Sequence, residues 1–191
     1  MPEISSYCPR RDDGFAHPRR RVLLLTLTMA LTGAVPQATN PSIGSVKATH
    51  DQVKEYITAA AEKVPEDLYA FKPTPEVRSM GQIFGHIADA NFGICGTASG
   101  QKPPMGDIEK TKTAKADLQA ALAESFKFCD AAYAGLTDTS MSEAVKFFLP
   151  GTNTRLGVLS FNNAHAFEHY GNIVTYMRLK GMVPPSSAPR Q

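Results

Sequence analysis

Apolar residues recur every three or four positions through most of the chain, and this spacing predicts amphipathic α-helices. Four segments show the pattern, and they cover residues 45–63, 77–98, 115–136 and 156–180. In the first, Val46, Val53 and Ile57 fall on one face. No alternation of period two is long enough to predict a β-strand.

Segments rich in proline, glycine and polar residues separate the predicted helices. Residues 99–113 predict an exposed loop, and residues 137–154 predict a long irregular crossing. The segment from Pro184 to Ser187 predicts a disordered tail. Together these features predict an all-α domain over residues 39–187, a four-helix bundle with one long crossover connection, and a tail over residues 188–191.

The first 38 residues have a different character from the rest. Arg19, Arg20 and Arg21 precede an uncharged apolar run over residues 22–35, the layout of a secretory signal peptide. Fourteen residues at about 1.5 Å each are too short to cross a hydrocarbon core of about 30 Å, so no permanent membrane span is expected. We predict a leader over residues 1–38 and an exported protein, periplasmic or secreted. The alternative is a core helix in a cytoplasmic protein.

The charge outside the leader is balanced. Residues 1–38 hold five arginines and three acids, which leaves 15 basic and 15 acidic residues of the 20 and 18 in the whole chain. A neutral domain provides no field that attracts phosphate backbones, so we expect no nucleic-acid partner.

Cys95 and Cys129 both lie on predicted helices among apolar neighbours. Free buried cysteine is the expected outcome for such positions. Export leaves a disulfide between them as the alternative, because oxidising compartments permit one.

Histidines are concentrated on the last predicted helix. His165 and His169 are four residues apart, so both rings project from one face and can bind the same metal ion. Asn162, Asn172 and Tyr176 share that face, where they could orient the imidazoles.

A third ligand is expected from another helix. His86 lies halfway along the second predicted helix, beside the apolar residues Ile83 and Ile87. Three neutral imidazoles would leave coordination positions open for water or a substrate. His50 is expected to be an exposed side chain rather than a fourth ligand. The alternative is that the histidines are hydrogen-bonded core residues and no metal binds.

The segment from His165 to His169 also fits the H-x-x-E-H pattern of inverted zinc proteases, with Glu168 as general base. That class needs an acidic ligand further along the chain. No aspartate or glutamate follows His169, which argues against an inverted zinc protease.

Two longer segments resemble the DinB-like superfamily of bacterial four-helix-bundle metalloproteins. The first is SMGQIFGHIA over residues 79–88, and the second is HAFEHYGNIVTYMRLKG over residues 165–181, followed by Pro184-Pro185. The matching pattern is a histidine on the second helix, then H-x-x-x-H-x-G and Y-x-R-x-x-G-x-x-P-P on the last. It spans about residues 42–187.

The resemblance implies a divalent metal ion, zinc or nickel, bound by His86, His165 and His169, and a homodimer. It also implies low-molecular-weight thiols as cosubstrates, which an exported protein would rarely meet. The expected function is therefore a metal-dependent hydrolase or transferase of unknown small-molecule substrate. The alternative is a non-catalytic bundle, stapled by the metal, that acts as a binding or stress-related protein.

Overall fold

Five α-helices make up most of the computed structural model, which describes residues 40–189. They are α1 (Pro41–Lys63), α2 (Met80–Ser99), α3 (Ile108–Thr111), α4 (Lys115–Ala134) and α5 (Arg155–Leu179). The four long helices confirm the predicted all-α bundle. The predicted leader over residues 1–38 lies outside the described residues.

Each long helix packs against two of the others, so α1 lies diagonally opposite α2, and α4 lies diagonally opposite α5. Helix α2 packs against α4 and α5, and α1 packs against the same two helices. The connection over residues 135–154 is the long crossover that takes the chain from α4 to α5. This arrangement places α2 and α5 side by side, so residues on their facing sides can form one site.

The start of each of these two helices is fixed by a polar cap. Ser79 accepts a hydrogen bond from the backbone of Gln82 (3.2 Å), and the Gln82 side chain accepts one from the backbone of Ser79 (2.9 Å). At the start of α5, Thr154 accepts from Gly157 (3.1 Å). These caps set where each helix begins.

The apolar faces form two clusters of buried residues, and the larger one includes residues of both α2 and α5. Phe84 and Ile87 of α2 and Ile173 of α5 are completely buried. Burial of such a side chain contributes about 1.5–3 kcal/mol to folding, so these contacts are what hold α2 against α5.

The exposed loop predicted for residues 99–113 is wrong in part. Residues 108–111 form α3, and Ile108 is 1% exposed. Both carboxylate oxygens of Asp89 accept hydrogen bonds from the first turn of α3, from the backbone of Ile108 and of Glu109 at 2.9 Å each. A side chain on α2 therefore holds this short helix in place.

The crossover contains two short strands where none was predicted. Ala144–Val145 pairs antiparallel with Asn153–Thr154, in the register Ala144 to Thr154. Strands of two residues are too short to produce a detectable alternation in the sequence. Three 3-10 turns complete the described elements, at Glu66–Ala70, Ser140–Ser142 and Pro185–Ser187.

The prediction that the segment from Pro184 to Ser187 is disordered is wrong. The turn Pro185–Ser187 is ordered, because the backbone of Ser186 donates to the hydroxyl of Tyr170 (2.9 Å) and Arg178 donates to Ser187 (3.1 Å). The end of the domain is thus bound to α5.

Cys95 of α2 and Cys129 of α4 form a disulfide, so the expectation of free cysteines is wrong. Both cysteines are fully buried. None of the helices in residues 40–189 has the length and apolar character needed to cross a membrane.

Candidate metal centre

The structure brings His86, His165 and His169 together between α2 and α5. Nε2 of His165 lies 3.2 Å from Nε2 of His86 and 3.1 Å from Nε2 of His169. All three candidate ligand atoms fall within 4.8 Å of one another. His165 and His169 are adjacent because they are one helical turn apart, whereas His86 reaches them only through the packing of α2 on α5.

This spacing suits a metal ion. Two nitrogens bound to one zinc at about 2.0–2.1 Å in tetrahedral geometry are about 3.3 Å apart, close to the two separations found here. The three-histidine cluster could therefore hold a divalent ion.

The environment keeps two of these imidazoles in the form that binds metals. Burial lowers the pKa of His169 to about 4, and the neighbouring His165 and His86 rings act in the same direction. Burial also lowers the pKa of His165, with a further contribution from His86. Both rings are thus neutral at pH 7, with lone pairs available to a ligand.

Glu109 fixes the orientation of His86. Oε2 of Glu109 lies 3.0 Å from Nδ1 of His86. Burial raises the pKa of the Glu109 carboxyl, but hydrogen bonds and charges from Arg78 and His86 outweigh it and hold the pKa below its usual range. A carboxylate can only accept, so this contact places the proton of His86 on Nδ1 and leaves the lone pair on Nε2.

Glu109 is itself held from both sides. Nε of Arg78 donates to its Oε1 (2.8 Å), and Asp89 binds the backbone of the same residue. Glu109 and Arg78 are not among the site residues predicted from the sequence. Two signals point towards them: the apolar Ile108 in an otherwise polar segment, and Gly85 immediately before His86.

The polar residues predicted to orient the histidines have separate roles. Nδ2 of Asn172 lies 3.5 Å from Nδ1 of His169, so Asn172 does border the cluster. Asn162 instead donates to Asn91 (3.3 Å), and Tyr176 donates to the carbonyl of Arg78 (3.0 Å). Of these three residues, only Asn172 lies within hydrogen-bond distance of one of the clustered histidines.

The prediction that His50 is exposed is wrong. His50 is 1% exposed, stacks on Tyr133 with ring centroids 4.1 Å apart, and has Nε2 2.9 Å from Oδ1 of Asp130. It packs against α4 and is not part of the three-histidine cluster. Glu168, the base that an inverted zinc protease would need, is exposed on α5.

Two cavities flank the histidines. One of about 640 Å³ has His165 in its wall and is otherwise mainly apolar, with Ile94 and Phe161 among its lining residues. The other, of about 520 Å³, is lined by His169, Arg78 and polar neighbours. Both volumes fall in the range of small-molecule sites.

The fold and the site therefore place this protein among small four-helix bundles that carry a candidate metal centre of three histidines. The family model of the DinB superfamily matches residues 49–173, and the chain belongs to that superfamily.

Solved structures show the same fold. A DinB-like protein from Bacillus cereus has a TM-score of 0.65 at 16% identity, over 75% of this chain and 95% of that one. A DinB-like protein from Bacillus subtilis has a TM-score of 0.62 at 20% identity, over 77% and 99%. A conserved protein from Enterococcus faecalis has a TM-score of 0.60 at 17% identity, over 71% and 95%. The chain has no match among curated protein sequences.

Proposed function

We propose that this protein is a metal-dependent hydrolase or transferase acting on a small molecule, with His86, His165 and His169 as the metal ligands. One observation carries the proposal: three Nε2 atoms converge at a point between two cavities large enough for a substrate. A structural metal site is normally closed, whereas a catalytic one keeps an open position.

The ion would be zinc or nickel, since imidazole ligands suit both. A divalent ion held by these histidines would supply Lewis acidity, which would activate water or a thiol. Glu109 keeps the proton of His86 on Nδ1, and the cavity wall beside His165 is mainly apolar. On the opposite side, Arg78 and Tyr176 border the cavity at His169 and provide polar contacts for a substrate.

One observation favours the alternative, a bundle in which the metal has a structural role and no turnover occurs. Glu109 is the carboxylate in contact with the histidines, and it is already bound to both His86 and Arg78. It is therefore not free to take a proton from a substrate. The two functions make different predictions for activity and the same prediction for metal content.

Metal content is tested first, by elemental analysis of protein purified without chelators. We expect about one zinc or nickel ion per chain, lost in His169→Ala and retained in Glu168→Gln, an exposed neighbour on the same helix. A wild-type protein without metal, which also gains no thermal stability from added Zn²⁺ or Ni²⁺, would end the metal proposal.

Activity is tested next, by screening the metal-loaded protein against ester, amide and thiol-transfer substrates. Turnover that disappears in each of the three histidine variants supports the enzyme. Metal-induced stabilisation without turnover on any of these substrates supports the structural alternative. Turnover that survives all three substitutions would place the active site elsewhere.

We also propose that the protein is exported, as a periplasmic or secreted protein. The disulfide between Cys95 and Cys129 supports this, because such bonds persist mainly in oxidising compartments. Sequencing the N-terminus of the protein from periplasm and medium tests the proposal. We expect cleavage after Ala34 or Ala38, and an intact Met1 found solely in the cytosol would contradict it. The homodimer implied by the resemblance stays a prediction.

A further inference from the structure

The cavity beside His165 has an aromatic lining. Phe147 and Phe148 come from the crossover, and Phe161 comes from α5, one turn before His165. The opposite side is formed by small and apolar residues of α2: Ala90, Gly93, Ile94 and Thr97. The cavity therefore extends from the candidate metal centre along the groove between α2 and the crossover.

The three phenylalanines form a continuous surface that leads to the histidines. Ring centroids are 4.3 Å apart for Phe147 and Phe148, and 5.4 Å and 5.5 Å from Phe161 to each of them. The centroid of Phe161 lies 6.3 Å from that of His165. A flat apolar group lying on this surface would end beside His165.

Phe148 is 73% exposed, the most exposed of the large apolar side chains in residues 40–189. The short strand pair just before and after the Phe147–Phe148 segment, Ala144–Val145 with Asn153–Thr154, anchors this part of the crossover. An exposed aromatic ring beside a cavity of ligand size is typical of a binding surface.

The lining provides few polar groups for recognition. Lys146 is the charged residue of the lining, and Thr97 provides a hydroxyl. Because the remaining surface is apolar, affinity in this cavity must come from burying carbon atoms rather than from hydrogen bonds. A sugar or a nucleotide phosphate would find too few partners here.

We propose that this cavity binds the aryl or acyl group of a small-molecule substrate whose reacting group lies at His86, His165 and His169. The inference rests on the proposed function and names the substrate class of that same site. It assigns Phe148 and Phe161 to substrate binding.

Comparing two hydroxamates distinguishes the affinity due to the cavity from the affinity due to the metal. Acetohydroxamate and 4-phenylbutyrohydroxamate share one metal-binding group and differ in their apolar part. With zinc-loaded protein and isothermal titration calorimetry, we expect the phenyl compound to bind about 10- to 100-fold more tightly, from the apolar area it buries. In Phe148→Ser, that advantage should fall by about tenfold.

Leu179→Ser is the matched control, because Leu179 is 60% exposed and is not among the residues that line either cavity beside the histidines. It should keep the full advantage of the phenyl compound. Equal affinities of the two hydroxamates for the wild type would overturn the inference while leaving the metal centre intact. An advantage undiminished in both Phe148→Ser and Phe161→Ala would overturn it as well.

A protein that takes up neither zinc nor nickel would instead refute the proposed function. The cavity is then tested on metal-free protein, with 4-phenylbutyrate against butyrate. Tighter binding of the phenyl compound, weakened in Phe148→Ser, supports an aryl-binding cavity. Equal binding of the two overturns it.

Discussion

Gly85 and Glu109 are packed so closely that a side-chain carbon at residue 85 would lie 2.7 Å from Cα of Glu109. The absence of that carbon lets α3 rest directly on α2. Oε2 of Glu109 consequently lies 3.0 Å from Nδ1 of His86. A glycine next to the candidate ligand thus controls the residue that orients it.

Replacing Gly85 with alanine should weaken metal binding. The added carbon forces α3 away from α2, which separates Glu109 from His86, and loss of such a partner typically lowers metal affinity by about 10- to 100-fold. Competition with a chromogenic chelator measures the change. Gly44→Ala is the control, since a side chain there meets nothing within 4 Å, and it should bind metal like the wild type.

The charge on Glu109 should matter as well as its position. In Glu109→Gln the residue keeps its size and can still face His86, but the negative charge that favours the Nδ1 proton is lost. We expect metal affinity to fall by about tenfold or more. Glu124→Gln, an exposed acid on α4, should have no effect in the same titration. Unchanged affinity in Glu109→Gln would mean that the carboxylate does not orient His86.

The stability of the metal-free protein should fall with acidity partly because of His50. Burial lowers the pKa of His50, more strongly than Asp130 raises it, so the folded pKa lies below the unfolded value of about 6.5. Below pH 6.5 the unfolded chain binds the proton more readily, and stability drops as pH falls towards the folded pKa. Denaturation at pH 7.5, 6 and 5 with chelator present should show a smaller loss in His50→Gln than in the wild type. Parallel losses in the two proteins would contradict this account.

Removing the disulfide should destabilise the fold. Cys95 and Cys129 are 34 residues apart, and closing a loop of that size stabilises a protein by about 3–4 kcal/mol in the chain-entropy model. Urea denaturation of the double variant Cys95→Ala/Cys129→Ala should show a loss of that order. Dithiothreitol should lower the stability of the wild type and leave the double variant unchanged. A wild type insensitive to the reductant, with free thiols by titration, would argue against the bond.

The helical part of the fold could be predicted because it depends on local pattern. The spacing of apolar residues located all four long helices, with ends that differ from the structure by a few residues. The pairing of His165 with His169 was equally local, since residues four apart on a helix are always neighbours. His86 is predicted as the third ligand from its apolar neighbours and from the resemblance to the DinB-like superfamily.

Features that depend on contacts distant in sequence could not be predicted. Helix α3 has four residues, too few to be stable alone, and it forms because Asp89 caps it and Gly85 makes room. The burial of His50 depends on Tyr133 and Asp130, which are about eighty residues away and on another helix.

The sequence by itself thus determined the bundle, the balanced charge and the pairing of His165 with His169, because periodicity, composition and helical spacing are local properties. Tertiary structure alone decided that Glu109 orients His86, that Cys95 pairs with Cys129 and that three phenylalanines border the site. Each of these depends on which faces of separate helices meet. That choice is made by the packing of the whole core, which no short segment encodes.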